Sequence, residues 1–224
     1  RRSSRAKHRR IEVTPDGVVL VIPKGGDTKD AHRFMESRRR WVFEQVVAVS
    51  AKAAHRDAYR PERLVTGAKV YYRGRRMRLT VKKAKGIQVE YRNGFILHAP
   101  KGATDQAKRR VLRSWLQQRV KEDVEAIVRR YARRMEVTPK SLRIKQLEEM
   151  WGSCGKGGTL HFDWRLIFAP KPVLEYAVLH EVCHLKERTH GDAFWSTLRA
   201  QMPDYERRKT WLEEHQHILD ALPV

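Results

Sequence analysis

Residues 170–190 read Pro-Lys-Pro-Val-Leu-Glu-Tyr-Ala-Val-Leu-His-Glu-Val-Cys-His-Leu-Lys-Glu-Arg-Thr-His. Val173, Leu174, Ala177, Val178, Val182 and Leu185 recur at helical spacing, so one apolar helix is expected over 171–187. Prolines suit its first turn, where a backbone N–H has no helical partner to lose. His180 and His184 lie four residues apart and share a face, with Tyr176 one turn earlier on it. Two neutral imidazoles so placed can grip one Zn²⁺, and H-E-x-x-H is the pattern that does so. Glu181 is rotated by about 100° from His180. From there it reaches a water held by the ion as general base, without becoming a ligand. Unpaired His and Glu would be costly to bury in so apolar a helix, which favours a metal site over an ordinary surface helix.

A third ligand is needed. His190 follows His184 by six residues, and a turn after Leu185 would swing it back onto the ion. An acidic ligand from the last helices, Glu206 or Glu213, competes with it. Three protein ligands leave a fourth position for water, as catalytic zinc requires. The histidine spacing equals that of metzincins, but this chain carries Glu187 where they carry glycine, so the turn is built differently. Cys183 is expected to be a packed thiol rather than a ligand. Cys154, in the glycine-rich Trp151-Gly152-Ser153-Cys154, is expected in a turn with a structural role. His98 and His161 read as strand residues without a metal, and His215 and His217 as a solvated helix face.

Upstream, residues 11–22 read as a β-hairpin turning at Asp16-Gly17, a pair that tolerates the positive φ of a tight turn. A helix follows from Asp27-Thr28 to about Ala54. The pattern recurs 77 positions later. Residues 89–99 form a hairpin turning at Asn93-Gly94, and a helix runs from Thr104-Asp105 to about Met135. Two copies do not make a solenoid, so a recurrent hairpin-helix unit is the modest reading. Another hairpin flanks Arg73-Gly74-Arg75, and residues 141–147 and 159–164 alternate like strands. This divides one domain, 10–224, into hairpin-helix units at 10–62 and 63–135 and a catalytic region at 136–224.

The chain carries 48 Lys+Arg against 26 Asp+Glu, a formal net charge of +22. That excess favours polyanions such as nucleic acid, although charge alone names no partner. The densest cations fall on the expected helices at 29–60 and 106–134, which offers a second reading: a basic, nucleic-acid-associated protein. No apolar run approaches the ~20 residues of a membrane span. The start, Arg1-Arg2-Ser3-Ser4-Arg5, has no apolar run behind it and does not read as a secretory signal. The absence of an initiator Met leaves room for upstream residues. Two cysteines make no disulfide framework, so a reducing cytoplasm is expected.

Several stretches together resemble one family. They are Trp151-Gly152-Ser153-Cys154, Leu160 to Pro170, Tyr176 to Glu187, His190, Phe194-Trp195 and Met202-Pro203-Asp204-Tyr205. They look like the YgjP-like metallopeptidases, which are related in outline to SprT-like and minigluzincin-type zincins. The likeness is strongest over 141–212 and weaker upstream. It implies zinc held by His180, His184 and His190, with Glu181 as catalytic base and acid. It implies an α+β fold in which the active-site helix lies under a small sheet, preceded by the hairpin-helix units. A peptide or protein is the substrate it implies. The chain departs from the family pattern at Thr189-His190-Gly191 and at Asp163, where Asn is usual; both changes fall where hydrogen bonds would tune the ligands. An extended substrate is expected to add to a sheet edge at Thr159, Leu160, His161 and Phe162. Tyr176 or Arg165 would stabilise the oxyanion, with Glu187 in a supporting position. Analogy with SprT-like enzymes adds the idea of a peptidase acting on DNA-bound proteins.

Overall fold

In a computed structural model the chain is described over residues 2–3, 6, 8–14, 17–59, 61–147 and 150–221. It forms a mixed α+β structure with three small sheets among the described residues. Contacts divide it into two compact units, Arg1–Ala58 and Tyr59–Val224. Within the second unit, α3 (Asp105–Arg134) packs on both the sheet before it and the helix after it.

The first unit has a short strand β1 (Arg2–Ser3), the hairpin β2 (Arg10–Thr14) and β3 (Gly17–Pro23), and then helices. Asp16 of the expected turn lies outside the described residues. The single helix expected from Thr28 is two, α1 (Thr28–Ser37) and α2 (Arg39–Tyr59), interrupted at Arg38. Ala6, Val21, Ile22 and Ala31 are the unit's buried hydrophobic residues among those described.

The second unit begins with β4 (Lys69–Tyr72), β5 (Arg75–Lys83), β6 (Gln88–Tyr91) and β7 (Phe95–Ala99), in the order β4-β5-β7-β6. Arg73 and Gly74 both take positive φ and make a two-residue turn, so Arg75 belongs to the strand. A Cβ on Gly74 would lie 2.7 Å from Pro170, just ahead of the ligand helix, so glycine is required twice over. Asn93 supplies the positive φ in the β6–β7 turn. The 77-residue echo extends to topology. In each copy the second hairpin strand is flanked by its antiparallel partner and by a parallel strand, as β1-β3-β2 and β5-β7-β6.

Thr104 caps α3 by accepting from the Ala107 N–H. Leu112, Leu116, Val120, Val124 and Val128 form its buried stripe. The third sheet comprises β8 (Ser141–Lys145), β9 (Gly152–Cys154) and β10 (Thr159–Asp163), in the order β8-β10-β9. Residues 152–154 are thus a strand and not the expected turn. β10 is central, parallel to β8 and antiparallel to β9. Its backbone groups are engaged on both sides, so Thr159 to Phe162 do not form the free edge expected of them.

A 3₁₀ turn (Trp164–Phe168) leads into α4 (Lys171–Cys183), followed by α5 (Asp192–Gln201) and α6 (Tyr205–Ala221). No helix among the described residues is long and apolar enough to cross a membrane. Asp163 is fully buried. It accepts from the backbone N–H groups of Leu147 and Arg165, both at 2.7 Å, and from the Arg165 guanidinium at 2.8 and 2.9 Å. Arg165 also donates to the Leu147 carbonyl at 2.7 Å. An Asn could not neutralise this arginine, which accounts for Asp at this position. Removing one partner of such a buried pair leaves the other charge uncompensated. Asp163→Ala is therefore expected to lower unfolding stability by about 3–5 kcal/mol, seen as a reduced urea midpoint at unchanged slope.

Candidate metal centre

α4 is shorter than expected. It ends at Cys183, with His184 as its C-cap, and the chain turns immediately after it. His184 keeps αR backbone angles and its N–H still reaches the His180 carbonyl, so both rings share one face. The tighter ending brings His190 back within six residues. His180, His184 and His190 each aim a ring nitrogen at one point. The His190 Nε2 lies 2.9 Å from His180 Nε2 and 3.0 Å from His184 Nε2.

The chemistry of these donors fits a metal. His184 Nδ1 lies 2.9 Å from the Glu187 carbonyl, which fixes the proton on Nδ1 and turns the Nε2 lone pair inward. Burial, helped by the neighbouring His184 and His190 rings, holds His180 down at about 3, so it presents a neutral lone pair. Burial also lowers His184. A single ring proton on His190 cannot satisfy both facing nitrogens, whereas one cation satisfies all three. Three imidazole nitrogens are a donor set able to hold a divalent metal ion.

Aromatic rings hold the ligands in place. Phe194 stacks on His184 with ring centroids 4.6 Å apart, and Trp195 stacks on His190 at 5.8 Å. Arg188 donates to the carbonyls of Gly155 and Lys156, tying the turn before His190 to the β9–β10 connection. Read as sequence, Phe194 and Trp195 have no role at the site beyond the family likeness, and Arg188 has none at all. The pairing of two aromatics four and five residues after His190 was the available signal.

Glu181 is buried, and burial pushes its carboxyl up to about 7 while the Cys154 backbone N–H pulls it partly back. β9 lies directly against it. A Cβ on Gly152 would sit 2.6 Å from Glu181 Cγ and 2.9 Å from Oε1, so only glycine permits this approach. Both line a cavity of about 450 Å³ with Trp151, Tyr176, Ala177, His180, His190, Trp195, Lys209, Leu212 and Glu213.

The other expected residues separate cleanly. Tyr176 is at the cavity wall, its hydroxyl pKa raised by burial and then by Glu213. Arg165 does not line the cavity; its guanidinium serves Asp163 and Leu147. Glu187 acts through its backbone carbonyl. Glu213 lines the cavity and Glu206 pairs with Arg199, but neither joins the converging group. Cys183 is a buried free thiol, pushed up to about 12 by burial. Cys154 sits on β9, with Arg188 3.5 Å from its sulfur. His98 and His161 lie on strands, and His215 stacks on Trp211. The His217 side chain lies outside the described residues.

A family model described as "YgjP-like, metallopeptidase domain" matches residues 7–215. No curated protein matches. Solved structures similar to part of the chain include two metallopeptidase zymogens. The metallopeptidase zymogen abylysin of Pyrococcus abyssi is 21% identical, with a TM-score of 0.38, over 42% of this chain and 95% of that one. The metallopeptidase zymogen jannalysin of Methanocaldococcus jannaschii is 24% identical, with a TM-score of 0.37, over 42% and 88%.

Gly152→Ala is expected to displace the Glu181 carboxylate while sparing all three histidines. A shift of about 1 Å can cost about 10²-fold in rate. The variant should keep its metal, measured by elemental analysis, while hydrolysis of an unfolded protein falls by about that factor.

Proposed function

This chain belongs to the YgjP-like metallopeptidase family, and on that premise we propose that it is a zinc-dependent peptidase with Glu181 as its catalytic base. One observation carries the reading: three imidazole nitrogens converge, and two of those residues, His180 and His190, line a cavity together with the buried Glu181 carboxylate. All-imidazole donors suit zinc. When bound, the ion would supply Lewis acidity, polarising a scissile carbonyl and lowering the pKa of water from 15.7 toward about 7. His180, His184 and His190 would hold it.

Glu181 would take a proton from the attacking water and deliver it to the leaving amine. A carboxyl pushed up to about 7 is poised for both transfers. The Cys154 N–H and the close Gly152 backbone would keep that carboxylate aimed. The Tyr176 hydroxyl is the candidate donor to the developing oxyanion. The substrate would be an extended peptide. β9 pairs only with β10 among the described residues. Its outer edge, beside the cavity, would read backbone groups and accept varied sequences. Trp151, Trp195 and Leu212 would receive apolar side chains. The two free cysteines fit a reducing compartment, and the cytoplasm is where we place the activity.

Glu181→Gln is expected to retain one zinc per chain while losing roughly 10²–10⁴ in rate against unfolded casein. Full activity in that variant would rule the mechanism out. Chelation should abolish wild-type activity and added zinc restore it. His190→Ala should lose the metal while Glu213→Ala keeps it, and the reverse pattern would reassign the third ligand.

A further inference from the structure

Much of the chain's positive charge is engaged within the fold. On α3, Arg109 donates to the carbonyls of Pro61 and Glu62, and Arg119, Lys121 and Arg130 pair with Glu122, Glu125 and Glu175. Lys209 differs. It stands on α6 and lines the same cavity as His180, Glu181 and His190. Its ammonium lies 5.1 Å from the centre of the Trp195 ring. That ring stacks on His190 and meets His180 edge-on, with centroids 6.2 Å apart. The cation is therefore one aromatic ring away from two of the three converging histidines. Its charge also helps to hold His180 down, whereas the charge of Glu213 acts on Tyr176.

This ammonium lacks a close acceptor, although it offers three donors. Among the described residues its ionic neighbour is Glu213, one turn on, at 3.7 Å. That is beyond hydrogen-bond distance. The two side chains are 40% and 63% exposed, and such a pair contributes little. Trp151, Ala177, Trp195 and Leu212 meanwhile give the cavity apolar walls, between which a charge pair is stronger than in open water. A group entering the cavity meets a cation with unused donors close to the histidines. The partner that gains most from it is an anionic oxygen, since a bond charged at both ends is the strong kind.

We infer that Lys209 selects the substrate, binding a carboxylate that the peptide carries beside the cleaved bond. An Asp or Glu side chain, or the peptide's own C-terminus, would supply that carboxylate. The inference rests on the peptidase reading for its substrate and adds a preference that the metal centre itself does not impose. Glu213 is the internal competitor, holding the ammonium loosely until a substrate carboxylate replaces it.

The test measures binding apart from hydrolysis. Zinc-loaded Glu181→Gln protein is titrated into peptides of one sequence, fluorescently labelled at the N-terminus, and anisotropy is followed. Three peptides carry Glu, Gln or Lys at the centre and end in an amide; a fourth carries Gln and a free C-terminal carboxylate. At least one carboxylate peptide should bind about tenfold more tightly than the amidated Gln peptide, as one charged hydrogen bond allows. Which of the two does so identifies the source of the carboxylate. In the same background Lys209→Arg should keep the order and Lys209→Met should level it. Lys209→Glu should put the Lys peptide first, an inversion that a merely structural residue could not produce. Circular dichroism and metal content confirm that each variant is folded. The inference is overturned if no peptide binds, if the amidated Gln peptide binds as tightly as both carboxylate peptides, if the Lys peptide binds tightest while Lys209 is intact, or if the preference survives Lys209→Met. Failure of the wild type to hydrolyse casein is a separate result, which would overturn the peptidase reading instead.

Discussion

Everything around the metal centre depends on one constraint. The His190 ring nitrogen lies at hydrogen-bond distance from those of both His180 and His184, and neutral imidazoles alone cannot satisfy that arrangement. Two of the rings lie on a helix that is otherwise core: Val173, Leu174, Ala177, Val178, Leu179, Val182 and Cys183 are all buried. An apolar helix cannot adjust to polar groups by moving toward water. Its histidines and Glu181 must therefore be oriented by what packs beside them, which makes the site rigid before any ion arrives.

The surrounding residues divide that task. Phe194 and Trp195 fix the planes of two ligand rings, the Glu187 carbonyl fixes a tautomer, and Arg188 fastens the loop that carries His190. Gly152 lets a strand edge come within contact of the Glu181 side chain. The Asp163–Arg165 pair stands one step further out, joining the end of β10 to the loop after β8. The Arg188, Gly152 and Asp163–Leu147 contacts join segments distant in the chain, while the ring stacking and the Glu187 carbonyl act locally.

The charge distribution carries a related lesson. A run of basic residues on a helix looks like a binding surface when only the sequence is read. Folding converts much of it into internal ties, because arginine reaches far and bonds carbonyls and carboxylates readily.

Sequence alone determined the features set within a few residues. The ligand face of α4 follows from helical period, the Thr104 cap from the local competition of a side-chain oxygen for free N–H groups, and the Asn93 turn from tolerance of positive φ. The α+β class was legible because alternation and helical spacing are local patterns. Tertiary structure decided what depends on partners far along the chain. It made residues 152–154 an edge strand and β10 a central one, committed Arg165 to Asp163, split the first long helix at Arg38, and ended α4 at Cys183 so that His190 could return. Local propensity cannot supply these outcomes, since strand neighbours, buried ion pairs and ring stacking are chosen by the packing of the whole core.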